Sequence, residues 1–422
     1  MSGTTTKVSR RQFLESTTLG AAGLMLGSPG ARASVLGASD RVNVGVVGAG
    51  GQGTSLIRNL ATVPDSKITA MCDIFEPNLN KGVNLAGSQP KPFTDYRKLI
   101  ESKDVDAVVI ATPLHMHYDV ALAAFGAGKH VFVEKTMMYS MRQCEHILQL
   151  SKAHPSQVFQ VGHQHRFDPV IHKVVAMSQD GALGKVTHIR CMWHRNGNWR
   201  RPVPKINFDP RPWGYPDLEH LINWRMYKRY SGGLMCELGS HMIEICNLIL
   251  GGPPASVTGM GGIDYWKDGR ETFDNVTVVY SYPAGQKVTF SSTTTNAHDG
   301  EHIVIMGTEG TIEMGWDQAL YFREKEKPEL VNAEGATVIG STGETMKAST
   351  QSQKEGAKVA QDEPRRSAIY RELESYVSCI REGKKAVVDA QVGRNAAAAV
   401  LSANRAMEEG RVVRIDSSQP AK

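Results

Sequence analysis

Apolar residues fall into two rhythms along the chain, and the change comes near residue 162. Before it, short apolar runs alternate with stretches of helical periodicity. The pattern predicts strands at 41–47, 67–72, 105–111, 130–133 and 158–161, with helices at 52–61, 120–127 and 140–153. The 105–111 run is almost continuously apolar, as in a parallel strand covered on both faces. Such alternation predicts an α/β fold with a doubly wound parallel sheet. Beyond 162 the strands lengthen and alternate more clearly, at 186–193, 255–263, 275–282, 286–295 and 302–306. Turn residues such as Pro283-Ala284-Gly285 separate several of them. A mostly antiparallel sheet with few helices is therefore expected, one helix covering 234–250 and two closing the chain at 366–381 and 392–409. The polar stretch at 325–364 reads as a loose excursion. The expected division is 1–39 as leader and linker, 40–161 as one domain, and 162–422 as an α+β domain.

The 422 residues suffice for two apolar cores, and no apolar stretch is long enough to span a membrane. A formal charge of +5 without a long Lys/Arg run gives no reason to expect a nucleic-acid partner. The six cysteines are scattered without metal-site or redox spacing and read as small buried residues. Ser9-Arg10-Arg11-Gln12-Phe13-Leu14 carries a twin-arginine export signature, followed by an apolar stretch at 19–26 and the small-residue site Ala31-Arg32-Ala33. A periplasmic or other extracytoplasmic location is the expectation, with a disordered basic tail as the plainer alternative.

Gly48-x-Gly50-x-x-Gly53 follows the first strand and opens a helix whose second residue is Gln52. Gly48 permits the turn, Gly50 lets backbone approach a pyrophosphate, and Gly53 lets helix and strand pack closely. The helix N-terminus then faces the phosphates with partial positive charge. Asp73, after the second strand, stands where a carboxylate accepts both ribose hydroxyls and repels a 2′-phosphate, so NAD is expected and NADP less so.

Candidate chemistry sits at two further places. Lys135, after the fifth strand, is expected to point at the crevice outside the carboxyl ends of the sheet, where an ammonium stabilises a developing alkoxide, with a surface lysine after a strand as the plainer alternative. Glu237 and His241 are four apart on the helix that begins after Gly232-Gly233, so they share a face. The pair suits a general base oriented by a carboxylate, and equally a structural ion pair. Between 190 and 230 lie Trp193, Trp199, Trp213 and Trp224 with Arg195, Arg200, Arg201, Arg211 and Arg225. Aromatic faces stack on sugars and arginines hold anions, although an ordinary interdomain loop has the same composition. His115-Met116-His117 and His163-Gln164-His165 lack the carboxylate or cysteine spacing of a zinc site, so no metal is expected.

In order and spacing, Gly48-x-Gly50-x-x-Gly53, Thr112-Pro113-x-x-x-His117, Glu134-Lys135-Thr136 and Gly232-Gly233-x-x-x-Glu237-x-Gly239-x-His241 resemble the Gfo/Idh/MocA family, which includes glucose–fructose oxidoreductase and inositol dehydrogenase. The resemblance covers about 41–415 and implies a Rossmann domain followed by an open-faced sheet that often mediates dimers or tetramers. It implies catalytic roles for Lys135 and His241, with Glu237 in support, and a returning helix at about 389–409. Gly48, Gly50, Gln52, Gly53, Asp73, Thr112, Pro113, His117, Glu134, Lys135 and Gln164 are the expected cofactor contacts. Arg166, His194, Trp199, Arg225 and Tyr230 are the expected substrate contacts. Two departures stand out. Thr136 replaces the usual proline, which is expected to relax the backbone beside Lys135, and Glu237 replaces the more usual Asp.

The expected activity is hydride transfer between a sugar or polyol hydroxyl and a tightly bound nicotinamide cofactor. The alternatives are an NAD-dependent glycosidase working by transient oxidation and elimination, and a non-catalytic sugar-binding protein.

Overall fold

The computed structural model describes residues 41–316, 318–324, 357–361 and 366–415. The leader expected at 1–39 and most of the 325–364 excursion lie outside these residues.

The first sheet has six parallel strands: β1 (Val42–Val47), β2 (Ser66–Cys72), β3 (Lys91–Phe93), β4 (Ala107–Ile110), β5 (His130–Glu134) and β6 (Phe159–Gly162). Their order is β3-β2-β1-β4-β5-β6, so the strand order reverses between β1 and β4 and opens a crevice there. Helices α1 (Gly51–Leu60), α2 (Glu76–Ala86), α3 (Tyr96–Ile100), α4 (His117–Gly126) and α5 (Met141–Ala153) connect the strands. β3 and α2 escape the periodicity: β3 has three residues with Pro92 at a sheet edge, where no ladder bond is lost.

After α6 (Pro169–Gln179) the chain enters β7 (Val186–Asn196), then α7 (Leu218–Ile222) and α8 (Ser240–Leu250). Strands β8 (Ser256–Gly262), β9 (Asn275–Ser281), β10 (Lys287–Thr293), β11 (Thr295–Gly307), β12 (Gly310–Met314), β13 (Gln318–Arg323) and β14 (Ala357–Gln361) follow. With β15 (Val413–Arg414) they build a nine-stranded sheet, β14-β13-β12-β11-β7-β10-β9-β8-β15. Only β7 and β10 pair in parallel among its described pairings.

The two closing helices divide their allegiance. Helix α9 (Ala368–Glu382), from the stretch the sequence pattern assigns to the second domain, packs into the first. Its Tyr370, Leu373, Tyr376 and Val377 share a core with Val42, Val44, Leu56 and Phe132 of the parallel sheet. Helix α10 (Ala390–Glu409) packs against α5 and β6 on one side and α8 and β8 on the other. Its buried run Ala396–Ala399 keeps side chains short enough for both neighbours to approach. All six cysteines are buried and unpaired.

Candidate active site

A cleft of about 1070 Å³ runs from the crevice between β1 and β4 to the N-terminal end of α8. At one end is the glycine turn. Gly48 has φ +97°, and a Cβ on it would lie 2.6 Å from Ala111 O; a Cβ on Gly53 would lie 2.0 Å from Gly48 O. Gly50 faces open space, its nearest foreign neighbour being Asn78 at 3.9 Å. This is the bare backbone that a pyrophosphate needs at a helix N-terminus. Gly53→Ala is therefore expected to push α1 off the turn, at a cost of about 1–3 kcal/mol, and to weaken NAD binding. Thermal melting and calorimetric titration check it.

Asp73 closes the same end. Its carboxylate accepts Ala49 N and Phe75 N, each at 2.8 Å. Burial pushes its pKa up to about 6 against these N–H groups and Asn78, so it is ionised at neutral pH. Arg97 reaches this end from α3 while contacting Asp95 at 3.5 Å, a neighbour that sequence distance concealed.

In the middle, Gln52 Nε2 donates to Glu134 Oε1 at 2.8 Å, so these two expected cofactor contacts turn their polar ends to each other. Thr112, Pro113 and Gln164 line the cleft. His117 lines it too, yet its ring spans Thr136 O at 3.0 Å and Thr112 O at 3.1 Å. A neutral ring donates to only one of these two carbonyls, and with the proton on Nδ1 it ties the loop after β4 to the loop after β5. Thr136 itself is fixed: its Oγ1 donates to Cys236 O at 3.0 Å. The relaxation expected from the missing proline is replaced by these two bonds. The Lys135–Thr136 peptide is cis.

At the far end Lys135 and His241 line one cleft. Lys135 Nζ donates to Glu237 O at 2.8 Å. The carboxylate of Glu237 does not support His241, as the i, i+4 spacing predicted; it accepts Arg225 Nε at 2.8 Å instead. Residues Met235–Gly239 form a π-helical turn ahead of α8, and there Arg225, twelve residues earlier in the chain, takes the Glu237 carboxylate. Burial would raise the Glu237 pKa, but Arg225 and then Lys135 outweigh it and hold the group ionised. His241 has no hydrogen-bond partner among the described residues. Burial, then the charges of Lys135, His165, His163 and Arg195, depress its pKa well below the usual histidine value. It is neutral at pH 7 and available as a proton acceptor.

Trp199 and Arg225 also line the cleft, as does Trp193, while Arg166, His194 and Tyr230 do not. Arg166 Nε turns to Glu244 at 3.2 Å. His194 lies on the opposite face of β7 from Trp193 and Arg195, bonded to Ser291 Oγ at 3.0 Å. The Tyr230 hydroxyl donates to Gly214 O at 3.1 Å, within a small core shared with Tyr215 and Met226. Arg195 and Arg201 line the cleft instead. Strict alternation along β7 marks Arg195 in the sequence; nothing periodic marks Arg201. Among the described residues, no group of three His, Cys, Asp or Glu side chains is placed to hold a metal.

Comparison with known proteins gives the same picture. The profile described as "Oxidoreductase family, NAD-binding Rossmann fold" (GFO_IDH_MocA) matches residues 42–163, and the "GFO/IDH/MocA C-terminal domain" matches 171–313. The inositol 2-dehydrogenase/D-chiro-inositol 3-dehydrogenase of Shouchella clausii is 34% identical over 37% of this chain and 45% of that protein. A glycosyl hydrolase family 109 protein of Solibacter usitatus is 30% identical over 46% of this chain and 50% of that protein. The matches thus span about half the length of these relatives. A levoglucosan dehydrogenase, solved with NADH and levoglucosan, shares the fold at TM-score 0.68 and 18% identity, over 89% of this chain and all of that one. The chain belongs to the Gfo/Idh/MocA oxidoreductase family, with that family's NAD-binding Rossmann fold as its first domain.

Proposed function

We propose that the protein moves a hydride between a sugar or polyol hydroxyl and a tightly held NAD. The observation that carries this reading is the meeting, in one cleft, of a glycine turn bare enough for a pyrophosphate with Lys135 and a neutral His241. Bound NAD supplies the hydride acceptor. Gly48, Gly50 and the α1 N-terminus hold its phosphates and Asp73 its ribose. At the other end, Lys135 donates a hydrogen bond to the substrate oxygen and stabilises negative charge developing there. His241 takes the hydroxyl proton on a ring nitrogen that no protein group occupies. Trp193 and Trp199 offer faces for the C–H surface of a sugar.

The likeness to a glycosyl hydrolase family 109 protein supports a second reading, in which oxidation is transient and acidifies a neighbouring C–H for elimination of a glycosidic group. Lys135 and His241 serve both, since both begin with the same proton and hydride removal. The twin-arginine signature supports export with the cofactor already loaded. Where free NAD is scarce, a cofactor that regenerates on the enzyme fits best. Met260 and Val279 share an exposed face of the antiparallel sheet, which supports a homo-oligomer built on it.

One experiment separates the readings. The NAD-loaded protein is mixed with inositols, hexoses and aryl glycosides while the absorbance of reduced nicotinamide is followed. Lasting reduction is expected of a dehydrogenase, and reduction followed by reoxidation with release of aglycone of a glycosidase. No change with any of them would leave a binding protein.

A further inference from the structure

Two neighbouring arginines behave differently. Arg200 is fully engaged: its Nε donates to Asp268 at 3.0 Å and its Nη2 to Asp268 O at 2.6 Å, and it also pairs with Glu219. The backbone of Arg201 is fixed as firmly, its N donating to Asn223 Oδ1 at 2.7 Å and its O accepting Asn223 Nδ2 at 3.0 Å. Asn223 is itself buried. Yet the Arg201 guanidinium makes no ion pair or hydrogen bond among the described residues. This fixed strap belongs to the second domain, and it carries the side chain across the cleft to the first. There Arg201 Nη2 and Nη1 lie 3.2 and 3.3 Å from where a Cβ on Gly51 would stand.

Gly51 is the first residue of α1. A cation held at a helix N-terminus meets the positive end of the dipole, an unfavourable place unless an anion lies between them. Partial desolvation in the cleft and then the charge of Arg225 disfavour the Arg201 cation further. Glu237 offsets this only from a distance, its carboxylate being bonded to Arg225, and Asp73 accepts backbone N–H groups. Lys135 is engaged at the other end of the cleft with Glu237 O.

We propose that Arg201 is a cofactor-holding residue that grips the pyrophosphate of the dinucleotide from the substrate-domain side, opposite the glycine turn. The inference rests on the NAD reading given above and deepens it. With Arg201 in place the dinucleotide is held by both domains rather than lying on one, and its release requires the strap to give way. A guanidinium matches two phosphate oxygens at once, which an ammonium does not.

The test titrates cofactor-stripped wild-type protein, Arg201→Ala and Arg201→Lys with ADP-ribose and with adenosine, by calorimetry at two salt concentrations. ADP-ribose carries the pyrophosphate without nicotinamide; adenosine carries neither. Arg201→Ala is expected to weaken ADP-ribose about ten-fold or more, to flatten its salt dependence and to leave adenosine unchanged. Arg201→Lys is expected to fall between. The side chain holds no part of the core, so melting without ligand should match wild type. ADP-ribose affinity within about two-fold of wild type in Arg201→Ala, or equal weakening of adenosine, overturns the proposal while the NAD reading stands. Failure of the wild-type protein itself to bind ADP-ribose and NAD would remove both.

Discussion

Replacing Lys135 by alanine is expected to leave NAD bound while its reduction by substrate falls by about 10²–10⁴-fold. The side chain stands at the proposed reacting end of the cleft, and its one hydrogen bond among the described residues is to Glu237 O. The glycine turn and Asp73 lie at the other end and do not depend on it. Loss of the ammonium therefore removes stabilisation of the developing alkoxide, which is needed only in the transition state. The predicted signature is a fall in kcat with little change in the NAD dissociation constant, read from single-turnover absorbance and from calorimetry. Normal reduction in Lys135→Ala would take the lysine out of the mechanism.

The second large effect concerns stability and pH. Glu244 sits on α8 one turn beyond His241, wholly buried, and burial raises its pKa to about 7 although Arg166 opposes the shift. The ordinary value is 4.5, so between about pH 4.5 and 7 the unfolded chain has lost this proton while the folded protein keeps it. Stability from this group is undiminished below the unfolded pKa, declines across that window, and stays low above it. Glu244→Gln keeps the shape without the charge. It is expected to match wild type near pH 4.5 and to exceed it by about 2–3 kcal/mol at pH 8. Urea unfolding at both pH values measures the difference; a variant equally unstable at both would show that the carboxyl is already neutralised by Arg166.

The parallel sheet was legible because each of its longer strands is a local apolar run and each glycine of the turn has a steric reason to be there. Lys135 lies in the cleft as its place after β5 suggested, although a solvent-facing lysine after a strand fits the sequence as well. Three things were not legible. The i, i+4 spacing of Glu237 and His241 does not disclose that Arg225, from an aperiodic segment, takes the carboxylate. His194 sits among cleft residues in the sequence, although alternation along β7 gives its side chain to the other face from Trp193 and Arg195. Arg201 lies in an aperiodic segment whose course is set by Asn223, twenty-two residues on, and by the Arg200 carboxylate partners. Amphipathic stripes have a further limit: the stripe of α9 announces a buried face but not which sheet buries it.

That last point bears on how the molecule is made. The layer that seals one side of the nucleotide sheet, helix α9, is encoded after every strand of the antiparallel sheet but β15. A nascent chain that has produced β1 through β6 still exposes Val42, Val44 and Phe132 until Tyr376 and its neighbours emerge. That face of the parallel sheet is therefore covered only after residue 377 has been made.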